Sequence, residues 1–341
     1  MDIVPVMIVT LCRYEHFIRC IDSLKKNKLS EETELYIGLD YPSKEAHWEG
    51  YRKICAYLEN GLDGFKEVHI IKHACNLGST NNYKKVRAEI YKKHDSYIYM
   101  EDDNEVSPNY LAYMNQSMRY YKNDPKVLAV SGYMYPVDSS GTEGNVILLN
   151  TYFSCFGFGV YRRTDDLFDK NINMCSFDRM YFDRKMMKKL CKASANQYGN
   201  FVKGMLKYTG DELICAGEIR EIDLSYGLYM FFHGYQMVFP VISKMRNHGF
   251  DGSGEHCGVQ RKKESCHYRE YDFSQQDIDL EEDFELKYRE ADMHIINWNE
   301  RLSRFFIVPR METFKVMLAY YLSLLLGRDL VSKLMVRMRK G

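Results

Sequence analysis

Apolar and polar positions change period repeatedly along the first hundred residues, and each change marks a switch between strand and helix. Residues 3–11, Ile-Val-Pro-Val-Met-Ile-Val-Thr-Leu, form a continuous apolar run of the kind found in a strand buried on both faces. After Cys12-Arg13-Tyr14, the residues Phe17, Ile18, Ile21 and Leu24 recur at helical spacing. A second strand over 34–40 ends in Asp40 ahead of Tyr41-Pro42, helical sequence follows from Trp48 to Leu58, and a third strand covers 68–72. His73 and a polar stretch lead into a helix through Val86 and Ile90, and Tyr97-Ile98-Tyr99-Met100-Glu101 reads as the fourth strand. Strand and helix alternating in this way, joined by right-handed crossovers, predict an α/β fold. Its sheet is Rossmann-like, mixed but mainly parallel, and flanked by helices, with a ligand crevice beyond the carboxyl ends of the strands.

The pattern loosens further on. A helix from Pro108 to Tyr121 stops at Asp124-Pro125, strands are predicted over 127–132 and 146–149, and 152–161 is an aromatic stretch punctuated by Gly157 and Gly159. Residues 176–217 read as charged helical connections. Asp223 stands where an N-cap would precede an amphipathic helix of Leu224, Leu228, Phe231 and Phe232, and Gly234 follows as its stop. Pro240 makes Val238–Ile242 an edge-type strand. The segment 247–257 carries three glycines, two histidines and Ser253, a composition able to fold over a phosphate or to supply a ligand. The acid-rich residues 272–292 read as a solvated face.

Composition removes some functions. Basic and acidic residues both number 47, so no overall positive field marks a nucleic-acid binder. Ten cysteines with no Cys-x-x-Cys pair read as reduced thiols in a cytoplasmic protein, and a chain opening on strand-like sequence predicts neither signal peptide nor N-terminal anchor. Residues 316–326 form an apolar run too short to span a bilayer, and between Arg310 and Gly341 seven basic residues face two acidic ones. That combination fits a basic amphipathic helix lying on a membrane surface, or equally a packed C-terminal helix.

The chemistry concentrates at Glu101-Asp102-Asp103. Three adjacent carboxylates repel one another unless a cation or a ligand offsets the charge, and their hard oxygens suit Mn2+ or Mg2+ with a nucleotide diphosphate as the partner. A solvated acidic turn is the other reading of the triplet. Thr10, Arg13, Asp40 and His73 are predicted at the same strand-end edge, which favours a site.

With those residues in place, Glu101-Asp102-Asp103-Asn104-Glu105-Val106-Ser107-Pro108-Asn109-Tyr110 resembles a segment of the GT-A nucleotide-sugar glycosyltransferases, most closely of the N-acetylglucosaminyltransferase I family. The order of the first strand with Arg13, of Asp40 and of His73 is similar as well. The resemblance implies a catalytic domain over 1–258, nucleotide-binding in 1–132 and acceptor-binding in 133–258, with a helical C-terminal extension over 259–341. It implies that Asp103 binds the metal, that Asp102 and Glu101 face ribose and donor sugar, and that Arg13, Asp40 and His73 hold uridine. Asp223, seventeen residues before Pro240, becomes the general base, although Leu224 stands where the family has a second Asp and no tryptophan flanks the pair. Ser253 would contact phosphate and His256 the metal. The implied activity is inverting transfer from a UDP-sugar, such as UDP-GlcNAc, to a glycan or lipid-linked saccharide in surface polysaccharide assembly. A sugar nucleotidyltransferase is the rival enzyme, but Leu11-Cys12-Arg13-Tyr14 lacks the glycine-rich phosphate loop expected of one. A non-catalytic nucleotide- or glycan-binding protein of the same fold is the other.

Overall fold

The computed structural model describes residues 3–207, 222–254, 271–288 and 295–340. Its strands are β1 (Val6–Thr10), β2 (Glu34–Leu39), β3 (Glu67–Lys72), β4 (Ser96–Glu101), β5 (Asn104–Val106), β6 (Val127–Ser131), β7 (Val146–Leu149), β8 (Phe158–Tyr161), β9 (Gln236–Pro240) and β10 (Met245–Asn247). Eight of them form one mixed sheet in the order β3-β2-β1-β4-β8-β6-β9-β7, while β5 and β10 pair separately. The first four neighbours run parallel, as the sequence alternation predicts. Beyond β4 the sheet is mixed: β8 inserts antiparallel between β4 and β6, β9 runs parallel to β6, and β7 antiparallel to β9.

Helices α1 (Tyr14–Lys25), α2 (Trp48–Glu59), α3 (Gly78–Ile90) and α4 (Tyr110–Tyr121) cover this sheet. Val6, Ile8, Leu35, Ile37 and Ile98 are fully buried beside Phe17 and Ile21 of α1, Ile54 of α2 and Val86 of α3. Truncation of any of these Ile or Leu side chains to Ala falls in the range of about 2–5 kcal/mol. Such rigidity holds the strand ends level. Val9 lies opposite Glu101 and Thr10 opposite Leu39. The Asp40 amide then donates to the Thr10 carbonyl at 3.0 Å, and that of His73 to Leu39 at 3.1 Å. Thr10, Asp40, His73 and Glu101 therefore share one edge.

After the sheet halves come α5 (Arg162–Asn171), α6 (Met174–Phe182), α7 (Arg184–Ala193), α8 (Ala195–Lys207), α9 (Ile222–His233), α10 (Ile295–Phe305), α11 (Arg310–Leu326) and α12 (Arg328–Lys340). Three sequence expectations need correction. β9 is an interior strand between β6 and β7, not an edge. Pro240 is its last residue, opposite Val146, so the missing N–H falls where the ladder ends. Asp223 lies in the first turn of α9 rather than at its N-cap, since the helix already begins at Ile222. Within 271–288 the acidic segment is a strap across the domain. Glu281, Glu282 and Glu285 face solvent, but Phe284, Leu286 and Tyr288 alternate inward, and Phe273 is fully buried. The strap is tied down by Asn109 Nδ2 to Asp279 at 3.1 Å, by the Leu286 amide to Gln116 at 3.0 Å and by the Asn145 amide to the Lys287 carbonyl at 2.9 Å. Period-2 alternation was present there and was masked by the excess of charge.

The seven cysteines among the described residues are free thiols. No described helix is long and apolar enough to cross a membrane. One face of α11 packs inward through Val316, Tyr320 and Ser323, with the Tyr320 hydroxyl donating to the Tyr181 carbonyl at 3.0 Å.

Candidate functional site

The strand-to-strand turn at Glu101–Asn104 is short, so Asp102 and Asp103 cannot spread into solvent, and both are buried. Arg13, the residue just before α1, lies between them. Its Nη2 pairs with Asp102 Oδ1, and its Nη1 is 2.8 Å from Asp103 Oδ2. Thr10 donates from Oγ1 to Asp102 Oδ2 at 2.7 Å. Asp103 Oδ1 accepts from Asn247 Nδ2 at 2.9 Å and from Asn104 Nδ2 at 3.2 Å. Asn104 and Asn247 are themselves partners in the β5–β10 ladder, which thus carries a segment 140 residues downstream onto the acidic turn.

One arginine does not balance these acids. Burial drives the Glu101 carboxyl well above the usual carboxylate range, and the neighbouring charges of Asp103 and Asp223 push it further. Burial also raises Asp103, with Asp102 adding to it and Arg13 opposing. For Arg13 burial works against the charge, yet Asp102 and Asp103 hold its guanidinium above its ordinary value. Asp102 and Asp103 offer the hard oxygen donors that suit a divalent cation such as Mn2+ or Mg2+, although among the described residues no third acid, histidine or cysteine joins them with ligand atoms all within 4.8 Å of one another.

Asp223 joins this group from α9. Its carboxylate hydrogen bonds with the Cys155 thiol, whose pKa is raised by burial first and by Asp223 second, and its charge is felt at Glu101. The two acids are distant in sequence but near enough in space for the charge of one to act on the other.

Other predicted residues take different positions. Asp40 is buried, and its oxygens accept from the backbone amides of Leu77 at 2.8 Å and Gly78 at 2.9 Å and from Asn76 Nδ2 at 3.3 Å. It therefore anchors the start of α3 in the manner of a carboxylate at a helix N-terminus. His73 Nε2 lies 3.0 Å from Asn82 Oδ1, and Asn82 in turn donates to the Gly38 carbonyl at 2.9 Å. Ser253 is exposed at the rim, where its amide donates to Asp251 at 2.8 Å. His256 lies outside the described residues.

The structure adds residues that sequence reasoning passed over. His16, one helical turn from Arg13, has Nε2 at 3.2 Å from both Asp251 Oδ2 and the His248 carbonyl, and its charge bears on Asp103. Its i+3 spacing from Arg13 at the head of α1 was the available signal. Asn247 and Gly249 lie in the segment 247–257 singled out in the sequence, but that they meet Asp103 follows only from the β5–β10 pairing. A Cβ at Gly249 would lie 2.1 Å from Asp103 Oδ2 and 3.3 Å from Arg13 Nη1.

No protein-family model and no curated protein matches this chain. Among solved structures, it is similar to the mannosyltransferase PcManGT from Pyrobaculum calidifontis in complex with GDP-Man and Mn2+, at 13% identity and TM-score 0.34, over 49% of this chain and 46% of that one. It is similar to residues 1–349 of S. aureus TarS at 16% identity and TM-score 0.34, over 50% of each chain. A CMP:2-keto-3-deoxy-manno-octonic acid synthetase complexed with CTP matches at 11% identity and TM-score 0.33, over 54% of this chain and 84% of that one. The chain thus spans half or less of the TarS and mannosyltransferase chains. Likeness at these levels assigns no activity.

Proposed function

We propose that this chain is an inverting, metal-dependent nucleotide-sugar glycosyltransferase, moving a sugar from a UDP-sugar such as UDP-GlcNAc to a hydroxyl of a glycan or lipid-linked saccharide in surface polysaccharide assembly. The observation that carries the reading is the buried, under-neutralised acid group Glu101–Asp103 at the carboxyl edge of the parallel strands, joined there by Asp223. In this reading Asp103 holds Mn2+ or Mg2+, and His256 is the further ligand implied by the family resemblance. Bound there, the ion would offset charge developing on the leaving diphosphate. Arg13 fixes both aspartates and leaves their remaining lone pairs for ligand. Glu101 and Asp102 face the donor's sugar and ribose, while Thr10, His73 and the Asp40-anchored loop border the base, and Ser253 the phosphates. Asp223 takes the acceptor proton at its carboxylate, held in orientation by Cys155. A single carboxylate base without a partnered nucleophile fits one displacement with inversion.

The test is a thermal-shift panel of UDP, UDP-sugars, GDP-sugars and cytidine nucleotides, each with and without MnCl2. Ligand at a hundred times its Kd stabilises by about 2.7 kcal/mol through mass action. A uridine nucleotide is expected to raise the Tm of the wild type only with metal, and that of Asp103→Asn not at all. No shift with any nucleotide removes the reading.

The same proposal has the enzyme working at a cytoplasmic membrane face. The outward side of α11 carries Met311, Phe314, Leu318, Tyr321 and Leu325, from 49% to 78% exposed, and Leu330 and Leu334 continue it on α12. Arg310, Lys315 and Lys333 are exposed beside that side, as in a helix resting on anionic lipid, whereas Arg328 turns inward to Asp178 at 2.6 Å. Two copies of so basic a face would repel, which argues against self-association. The protein is expected to float with phosphatidylglycerol-containing vesicles and far less with pure phosphatidylcholine. Leu318→Glu with Leu325→Glu should lower partitioning at least about tenfold, since each buried leucine contributes roughly 1.5–3 kcal/mol. Unchanged flotation would remove the membrane contact and leave the donor site untouched.

A further inference from the structure

Glu34 opens β2 and Glu67 opens β3, and the register sets Glu34 opposite Glu67 and Tyr36 opposite His69. Alternation along each strand puts Glu67 and His69 on one face of β3, and Glu34 and Tyr36 on the matching face of β2. This is the amino end of the sheet, whereas the acid group lies at the carboxyl end, about 17–20 Å away along six-residue strands.

Three ligand-type atoms converge here. His69 Nε2 is 3.4 Å from Glu34 Oε2 and 3.5 Å from Glu67 Oε2, and one ligand atom from each of the three residues lies within 4.8 Å of the others. Four ligands at roughly 2.0–2.2 Å around a tetrahedral ion stand about 3.3–3.6 Å apart, so the two histidine-to-carboxylate separations are already those of a tetrahedron's edges. The surroundings fix the donors. The His69 ring stacks on Tyr36 with centroids 4.2 Å apart, Lys66 Nζ holds the other Glu34 oxygen at 3.2 Å, and His94 Nε2 lies 3.2 Å from Glu34 Oε2. Glu67 remains half exposed, which leaves an approach from solvent.

We propose that Glu34, Glu67 and His69 form a zinc site, separate from the donor site and independent of the glycosyltransferase reading. The mixed imidazole and carboxylate set selects zinc over magnesium or calcium, which prefer oxygen alone. Three protein ligands leave a fourth position for water; Lys66 orients the Glu34 carboxylate through its other oxygen, and His94 Nε2 contacts the same Oε2 that faces His69. Held across the first residues of two neighbouring strands, the ion would clip the exposed edge strand β3 to the sheet.

Isothermal titration of chelator-stripped full-length protein with ZnCl2 tests this, paired with the visible absorption of the cobalt-substituted protein, which is intense only for a tetrahedral ion. One site is expected, unaffected by excess MgCl2 and retained in Asp103→Asn. Glu67→Gln, at a surface position that leaves the fold intact, should weaken binding by about 100-fold or more and abolish the tetrahedral cobalt spectrum, as should His69→Ala. His94→Ala should weaken it about 10–100-fold, as outer-shell partners do. No binding, or zinc affinity unchanged in Glu67→Gln and His69→Ala, means an adventitious ion only and overturns the proposal.

Discussion

Asp223→Asn is expected to lower kcat by roughly 10²–10⁴-fold, the usual worth of a positioned general base, while leaving the Kd for a uridine nucleotide with Mn2+ nearly unchanged. Asparagine keeps the size of the side chain and its hydrogen bond to Cys155, so what is lost is the ability to take a proton. Stability should move in the opposite direction. The Glu101 pKa is raised by burial and by the charges of Asp103 and Asp223. A carboxyl whose folded pKa lies above its unfolded value destabilises the fold increasingly as pH rises through the unfolded value. Removing one of the repelling charges relieves that, so in the absence of metal the Tm of Asp223→Asn at neutral pH should equal or exceed the wild type's. The excess should vanish as the pH falls below about 4.3, the usual glutamate value. Loss of activity together with loss of nucleotide binding or of Tm would show that Asp223 is structural.

Gly249→Ala should damage the acid site directly, since the methyl group it adds meets Asp103. The added Cβ would lie 2.1 Å from Asp103 Oδ2, far inside van der Waals contact. The carboxylate cannot retreat freely, because Arg13 holds that oxygen while Asn104 and Asn247 hold the other. Overpacking of this kind costs about 1–3 kcal/mol in stability. The effect on the site should be larger, because displacing a ligand-bearing group by about 1 Å can cost on the order of 10²-fold. Calorimetry of nucleotide and Mn2+ binding beside a thermal melt separates the two effects. A variant that melts only slightly lower yet binds no nucleotide is the expected result, and one with wild-type affinity would show that Asp103 tolerates the shift and does not set the donor site.

The first half of the fold was legible because its physics is local. A central parallel strand must be apolar on both faces, so Glu34–Leu39 and Ser96–Glu101 announce themselves within a residue of their ends, while the first strand, read over 3–11, is Val6–Thr10. Level strand ends then make Thr10, Arg13, Asp40, His73 and Glu101 neighbours by topology alone. The sequence failed where an outcome depended on distant chain. Pro240 looked like an edge residue because nothing local says that β7 will cover its strand. Asp40 has the composition of a ligand-binding turn, and only the folded position of α3 turns its oxygens onto the Leu77 and Gly78 amides. Asn247 and Gly249 sit in a stretch whose glycines and histidines suggested a phosphate or metal contact, and only the pairing of β10 with β5 makes them partners of Asp103.

That two-stranded pairing also sets an order of events. Residues 104–106 emerge early from the ribosome, but their partner strand, 245–247, follows some 140 residues later. Closing so long a loop slows the step that completes the ladder and separates it from the local folding of the parallel strands. The parallel half, β1 to β4, can therefore form with Arg13 already between Asp102 and Asp103, while Asn247 reaches Asp103 only when the last third of the chain arrives. The acid turn thus reaches its final set of partners late in synthesis, after the parallel half of the sheet is already in place.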